Sequence, residues 1–84
     1  MSVSEPGARC RLLELPTGRH ARLVRLDLDP GEACVLAALG LATGSRVVLR
    51  IAGDPCVVEV RSTRIGLARG VAARLLVEPL GEDA

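Results

Sequence analysis

Apolar and polar positions change rhythm several times along this chain, and each change marks an element. From His20 the pattern alternates, with Val24, Leu26 and Leu28 on one side and Arg25 and Asp27 on the other. A period of two predicts a half-buried strand, facing the core with those three residues. Asp29-Pro30-Gly31-Glu32 then announces a helix. Asp29 can cap it, Pro30 suits the first helical position, and Glu32 stands where a capping-box carboxylate reaches back. Val35, Leu36 and Leu39 follow at helical spacing, Gly40 can take the left-handed position after the helix, and Leu41 would then touch Leu36.

Alternation returns after Thr43-Gly44, with Val47, Leu49 and Ile51 inward and Arg46, Val48 and Arg50 outward. Gly53-Asp54-Pro55 makes a tight connection, after which Cys56, Val58 and Val60 point inward, opposite Glu59 and Arg61. Ser62-Thr63 is placed to turn the chain. Ile65 and Leu67 form another strand face, Arg69–Ala73 a single helical turn, and Leu75 with Val77 the last strand. Upstream, the short run Leu12–Leu15 ends at the turn signal Pro16-Thr17-Gly18. Five to six short strands with one inserted helix predict a mainly β fold, a small barrel. The domain is expected over 11–80, between a lead-in at 1–10 and a tail at 81–84.

Composition sharpens this picture. A chain of 84 residues has room for one core. Phe, Tyr and Trp are all absent, so the core must be built from Leu, Val, Ile and Ala. Yet 49% of the residues are hydrophobic, an apolar excess available for a partner or for self-association. All eleven basic residues are Arg, balanced by ten acidic ones. Arg9, Arg11, Arg19, Arg22 and Arg25 are interleaved with Glu5, Glu14, Asp27 and Asp29, which reads as a solvated face. With neither a basic stripe nor aromatic platforms, nucleic acid is not an expected partner.

No apolar run approaches the ~20 residues a membrane span needs, and the first residues do not resemble a signal peptide. The expectation is a cytoplasmic protein with no membrane insertion. Cys10, Cys34 and Cys56 are odd in number and form no CxxC pair, which fits reduced thiols. Together with His20 they lack the short paired spacing of structural zinc ligands, so no metal site is assigned. A catalytic centre needs a base, nucleophile or metal gathered in a pocket. His20 is a lone histidine, and Cys34 lies one turn inside its helix among Val35, Leu36 and Ala37. No catalytic residue and no cofactor is assigned.

Taken together, the motifs resemble the FeoA family, the small SH3-like partner of the bacterial ferrous-iron transporter FeoB. The resemblance runs from Leu13 to Leu80. Leu13-Glu14-Leu15 with Gly18 resembles the family's L-x-x-L-x-x-G opening. Leu36-Ala37-Ala38-Leu39-Gly40-Leu41 followed by Thr43-Gly44-Ser45 resembles L-x-x-L-G-[LM]-x-P-G, with Thr43 in place of the common Pro. Ile51-Ala52-Gly53-Asp54-Pro55 is similar to a loop ending in Gly-Asp-Pro, about two residues shorter here. Arg64–Arg69, Ala72 and Leu75–Val77 resemble its ending. Leu39, Gly40, Gly44, Asp54, Pro55 and Leu67 are therefore structural motif positions.

The resemblance implies a non-enzymatic accessory protein that docks on the cytosolic, GTPase-bearing part of a FeoB-type transporter and regulates iron uptake. If Val35 and Leu39 serve the core, Ala33, Cys34, Ala37, Ala38 and Leu41 are the expected contact residues; the alternative is a helix that only lids the barrel. Two further functions stay open. One is a self-associating regulatory domain and homo-oligomer. The other is a metal-responsive domain like the C-terminal domain of DtxR-type repressors.

Overall fold

The computed structural model describes residues 8–81; residues 1–7 and 82–84, most of the expected lead-in and tail, lie outside the described residues. Six antiparallel strands form one sheet: β1 (Cys10–Arg11), β2 (His20–Leu26), β3 (Arg46–Ile51), β4 (Cys56–Val60), β5 (Thr63–Leu67) and β6 (Leu75–Pro79). Their order across the sheet is β1-β6-β2-β3-β4-β5. Helix α1 (Pro30–Ala38) joins β2 to β3, and the single turn α2 (Arg69–Ala72) joins β5 to β6. A 3-10 turn over Leu12–Glu14 follows β1. The lead-in ends earlier than expected, because Cys10 pairs with Val77 and is buried.

One cluster of aliphatic side chains fills the interior, including Leu12, Leu23, Leu41, Val47, Leu49, Val58, Leu75 and Val77. No charged or polar residue is buried with them among the described residues. Without rings to fill volume, many branched side chains must interlock, and the tight packing of such an interior makes each contact count.

Two bulges correct the simple alternation. In β2, Leu23 pairs with Val77 but Arg25 pairs with Leu76, so Val24 is an extra residue. The inward set is Ala21 and Leu23 before this slip, with Leu26 and Leu28 packed against the core after it. Val24, expected inward, is half-buried and outside the core. In β3, Leu49 pairs with Val58 but Ile51 with Val57, which leaves Arg50 extra. Ile51, expected in the core, is turned outward and is 54% exposed. Each slip moves the following residues to the other face, as one added residue in a period-two element must. Val48 is the converse case: it belongs to the row opposite Val47 and Leu49, yet it is only 5% exposed.

The connections are pinned by specific bonds. Asp29 Oδ1 accepts the Glu32 amide at 2.9 Å, so the expected cap forms. At the other end of α1, Gly40 N–H donates to Ala37 O and Leu41 N–H to Leu36 O, with Gly40 at φ +100°. That pair of bonds is a Schellman close, and it drives Leu41 inward beside Leu36. Ser45 Oγ then donates to Gly40 O at 2.8 Å and accepts the Ala42 amide, holding the following turn around Gly44. The β4–β5 hairpin turns at Arg61-Ser62, one residue earlier than expected, both at positive φ (52° and 65°). This is the geometry of a two-residue mirror-image turn, usually filled by Asn and Gly. No helix among the described residues is long and apolar enough to cross a membrane.

Candidate partner-binding face

Helix α1 rests on the sheet through few side chains. Leu36 is its buried residue and Ala33 is half-buried. Cys34, Ala37 and Ala38, three of the expected contact residues, are exposed. Leu41 is corrected: it is 1% exposed, carried into the core by the Schellman turn, and cannot meet a partner. The premise that Val35 and Leu39 serve the core is also overturned, since they are 62% and 49% exposed. They belong to the same outward surface as Cys34, Ala37 and Ala38.

The reason lies in helical geometry. Residues i and i+4 share a face, so Val35 and Leu39 lie together, roughly 100° and 60° round the helix from Leu36. Only one of these rows can point at the sheet. The Leu36–Leu41 closure chooses it, and that closure was itself legible in the sequence. What remains outside is a helix with no polar face after Glu32.

Beside it, Glu32, Val35, Leu36 and Val71 line a groove of about 230 Å³ between α1 and α2. A second depression of about 250 Å³, lined by Leu28, Glu32, Ala68, Gly70, Val71 and Arg74, shares Glu32 and Val71 with it. Val71 escaped the sequence reading because it is 36 positions from Val35 and only the fold brings them together. The apolar trough thus has one acidic residue, Glu32, and one basic residue, Arg74, on its rim.

The motif positions act as supports. Asp54 Oδ1 accepts the Arg69 amide at 3.2 Å, capping α2 from the Gly53-Asp54-Pro55 loop and setting the wall that carries Val71. Pro55 is exposed, and Leu67 packs in the core. Gly44 takes φ +95° and donates its N–H to Leu23 O, tying the segment after α1 to β2. Leu39, expected as a purely structural position, is part of the exposed surface instead.

Ion pairs lie away from this trough, around Asp27, Glu59 and Glu78. Asp27 accepts from Arg11 and Arg25, each at 2.7 Å, and these hydrogen bonds, Arg25 first, hold its carboxyl below its ordinary range. Glu59 is lowered chiefly by its hydrogen bond to Arg50 at 3.0 Å, with Arg64 at 3.6 Å adding to the attraction. The expected solvated face therefore contains real ion pairs. Burial pushes the thiols of Cys10 and Cys56 up, whereas Cys34 is exposed. Among the described residues, no three His, Cys, Asp or Glu side chains are grouped to hold a metal.

Comparison with known proteins matches this architecture. Residues 10–79 match the model of the FeoA domain family. The FeoA protein from Chlorobium tepidum is similar, at 28% identity and TM-score 0.79, over 89% of this chain and 74% of that one. The zinc complex of Stenotrophomonas maltophilia FeoA, described as a prokaryotic SH3 domain protein, is 30% identical with TM-score 0.68, over 82% of this chain and 89% of that one. IdeR from T. acidophilum is 25% identical with TM-score 0.77, over 89% of this chain but 36% of its own length. Among curated proteins, none matches in sequence.

Proposed function

The chain belongs to the FeoA family, and from that premise we propose that it is a non-enzymatic, cytoplasmic accessory protein of ferrous-iron uptake. It docks on the cytosolic part of a FeoB-type transporter GTPase and regulates it. The observation that carries the docking step is the exposure of Val35 and Leu39 on a helix with no polar face beyond its first turn. One relative supports the link to iron in its own description: the S. maltophilia protein is described as a candidate ferrous iron transport activating factor.

In this reading the barrel is a rigid mount and α1 is the contact. Small side chains at Ala37 and Ala38 let a partner helix or strand approach the backbone closely, while Val35 and Leu39 supply apolar area. Fully burying such a side chain contributes ~1.5–3 kcal/mol. Because about half of each is already covered, docking would gain roughly 1 kcal/mol from each, or about tenfold in affinity for every 1.4 kcal/mol.

The test is calorimetric titration of the protein into the cytosolic GTPase domain of its cognate FeoB, with and without a GTP analogue. Saturable binding that Ala37→Glu and Leu39→Glu weaken while the fold survives supports docking through α1. No heat in either nucleotide state up to millimolar concentration refutes it. A second reading, a metal-responsive domain, draws on the likeness to IdeR; it requires metal binding by the isolated protein that Cys→Ser substitution abolishes.

A further inference from the structure

Sheet order leaves β5 (Thr63–Leu67) as a terminal strand. One edge pairs with β4 along its whole length, and among the described residues no other backbone hydrogen bond reaches β5. At the opposite end of the sheet, β1 is two residues long and runs straight into a 3-10 turn. β5 is five residues long with an open edge, the kind of row that another strand extends.

The register gives this edge two unlike faces. Ile65 and Leu67 stand opposite Val58 and Cys56 on the core side, and Arg64 and Gly66 stand opposite Glu59 and Val57 on the outside. The β3 bulge brings Ile51 to the same outer row, which runs Ile51, Val57, Gly66. Ile51 is 54% exposed and Val57 is half-buried. At the edge the row ends in a notch, since a Cβ on Gly66 would meet nothing nearer than Pro55 at 3.9 Å. Pro55 follows Asp54, whose carboxylate accepts the Arg69 amide but joins no ion pair among the described residues.

An open edge, an apolar notch and an acid at its end match the sequence of β5 itself. When two copies of Thr63–Leu67 pair antiparallel about Ile65, Arg64 stands opposite the partner subunit's Gly66, and Ile65 opposite the partner subunit's Ile65. The arginine stem then fills the notch beside Val57, covering apolar surface, and its head is directed toward Asp54. A parallel, in-register pairing would instead set arginine beside arginine, which opposes association. Arg64 is available for this role, because its side chain is 67% exposed and its contact with Glu59 is 3.6 Å, against 3.0 Å for Arg50.

We propose that a second copy of this chain docks on the β5 edge, giving a two-fold dimer with one continuous sheet. The two-fold repeats each contact, so both notches fill at once. Five residues a side is well short of the ~20–30 of a standard interface, which makes this a weak, reversible dimer. The α1 face stays open in it, so the dimer and docking through α1 stand or fall separately.

Sedimentation equilibrium from about 10 μM to about 1 mM, where weak specific contacts are read, is the test, followed by interference because the chain has no aromatic residue. The average mass should rise from monomer toward dimer. Gly66→Arg sets arginine against the partner subunit's Arg64 and should weaken the dimer tenfold or more, with the circular dichroism melt unchanged. Gly66→Glu is of similar bulk but offers that arginine a carboxylate, so it should hold the dimer at parental affinity or tighter. Leu39→Glu should leave it unaltered. A mass that stays monomeric throughout overturns the proposal, as does equal loss from both Gly66 variants. Loss with Leu39→Glu alone also overturns it, moving self-association to α1. So does protection of the β5 amides from exchange only when the FeoB GTPase domain is added, which would assign the edge to that protein.

Discussion

Replacing Leu36 and Leu39 by alanine, one at a time, probes the division of labour on α1. Leu36 is 7% exposed and belongs to the core cluster. Buried Leu→Ala changes cost ~2–5 kcal/mol. Because Leu36 borders the open α1–α2 groove, neighbours can partly close the gap, which argues for the lower part of that range, about 2–3 kcal/mol. A domain of this size has roughly 4–10 kcal/mol of total stability, so the variant folds with a visibly reduced margin. Leu39 is 49% exposed, and alanine is the better helix former, so its replacement should cost under about 1 kcal/mol. With no aromatic residues, the assay is urea denaturation followed by far-ultraviolet circular dichroism. At a slope of ~1 kcal/mol/M for a small protein, the Leu36→Ala midpoint should fall by about 2–3 M and that of Leu39→Ala by less than about 1 M. Equal losses would refute the orientation of the helix and with it the exposed face.

Three further outcomes follow from the same structure. Gly40→Ala should lower stability by ~1–2 kcal/mol through its φ of +100°, since an added Cβ meets Val60 only at an ordinary 3.6 Å; an unchanged urea midpoint would contradict the Schellman close. Asp27 and Glu59 have folded pKa values below their unfolded ones, so their stabilisation is present above the ordinary carboxylate range and is lost as pH falls through the folded values. Thermal melts should therefore drop on acidification, and Asp27→Asn should flatten that drop; a parallel pH profile for the variant would contradict the pairing. Under native conditions one thiol, Cys34, should react promptly with a maleimide, while Cys10 and Cys56 wait for unfolding; three equally fast thiols would disprove the burial.

Much of the fold was legible because local signals agreed with one another. Asp29 and Pro30 start α1, Gly40 and Leu41 end it, and Cys56, Val58 and Val60 form the inward row of β4. The failures have physical causes. Bulges at Val24 and Arg50 reverse the phase of β2 and β3, and nothing local announces an extra residue in an aliphatic strand. On α1, three apolar residues offered two possible faces, and assigning both to the core hid Val35 and Leu39 from the candidate site. The place of Val71 beside Val35 depends on contacts between distant segments.

The account turns on whether α1 is the docking surface. Its most direct test is to titrate the isotope-labelled protein with the cytosolic GTPase domain of its cognate FeoB and follow backbone amide shifts. The account predicts the largest changes at Cys34, Val35, Ala37, Ala38 and Leu39, extending to Val71 across the groove. Saturable binding that leaves all of these amides unmoved would contradict it.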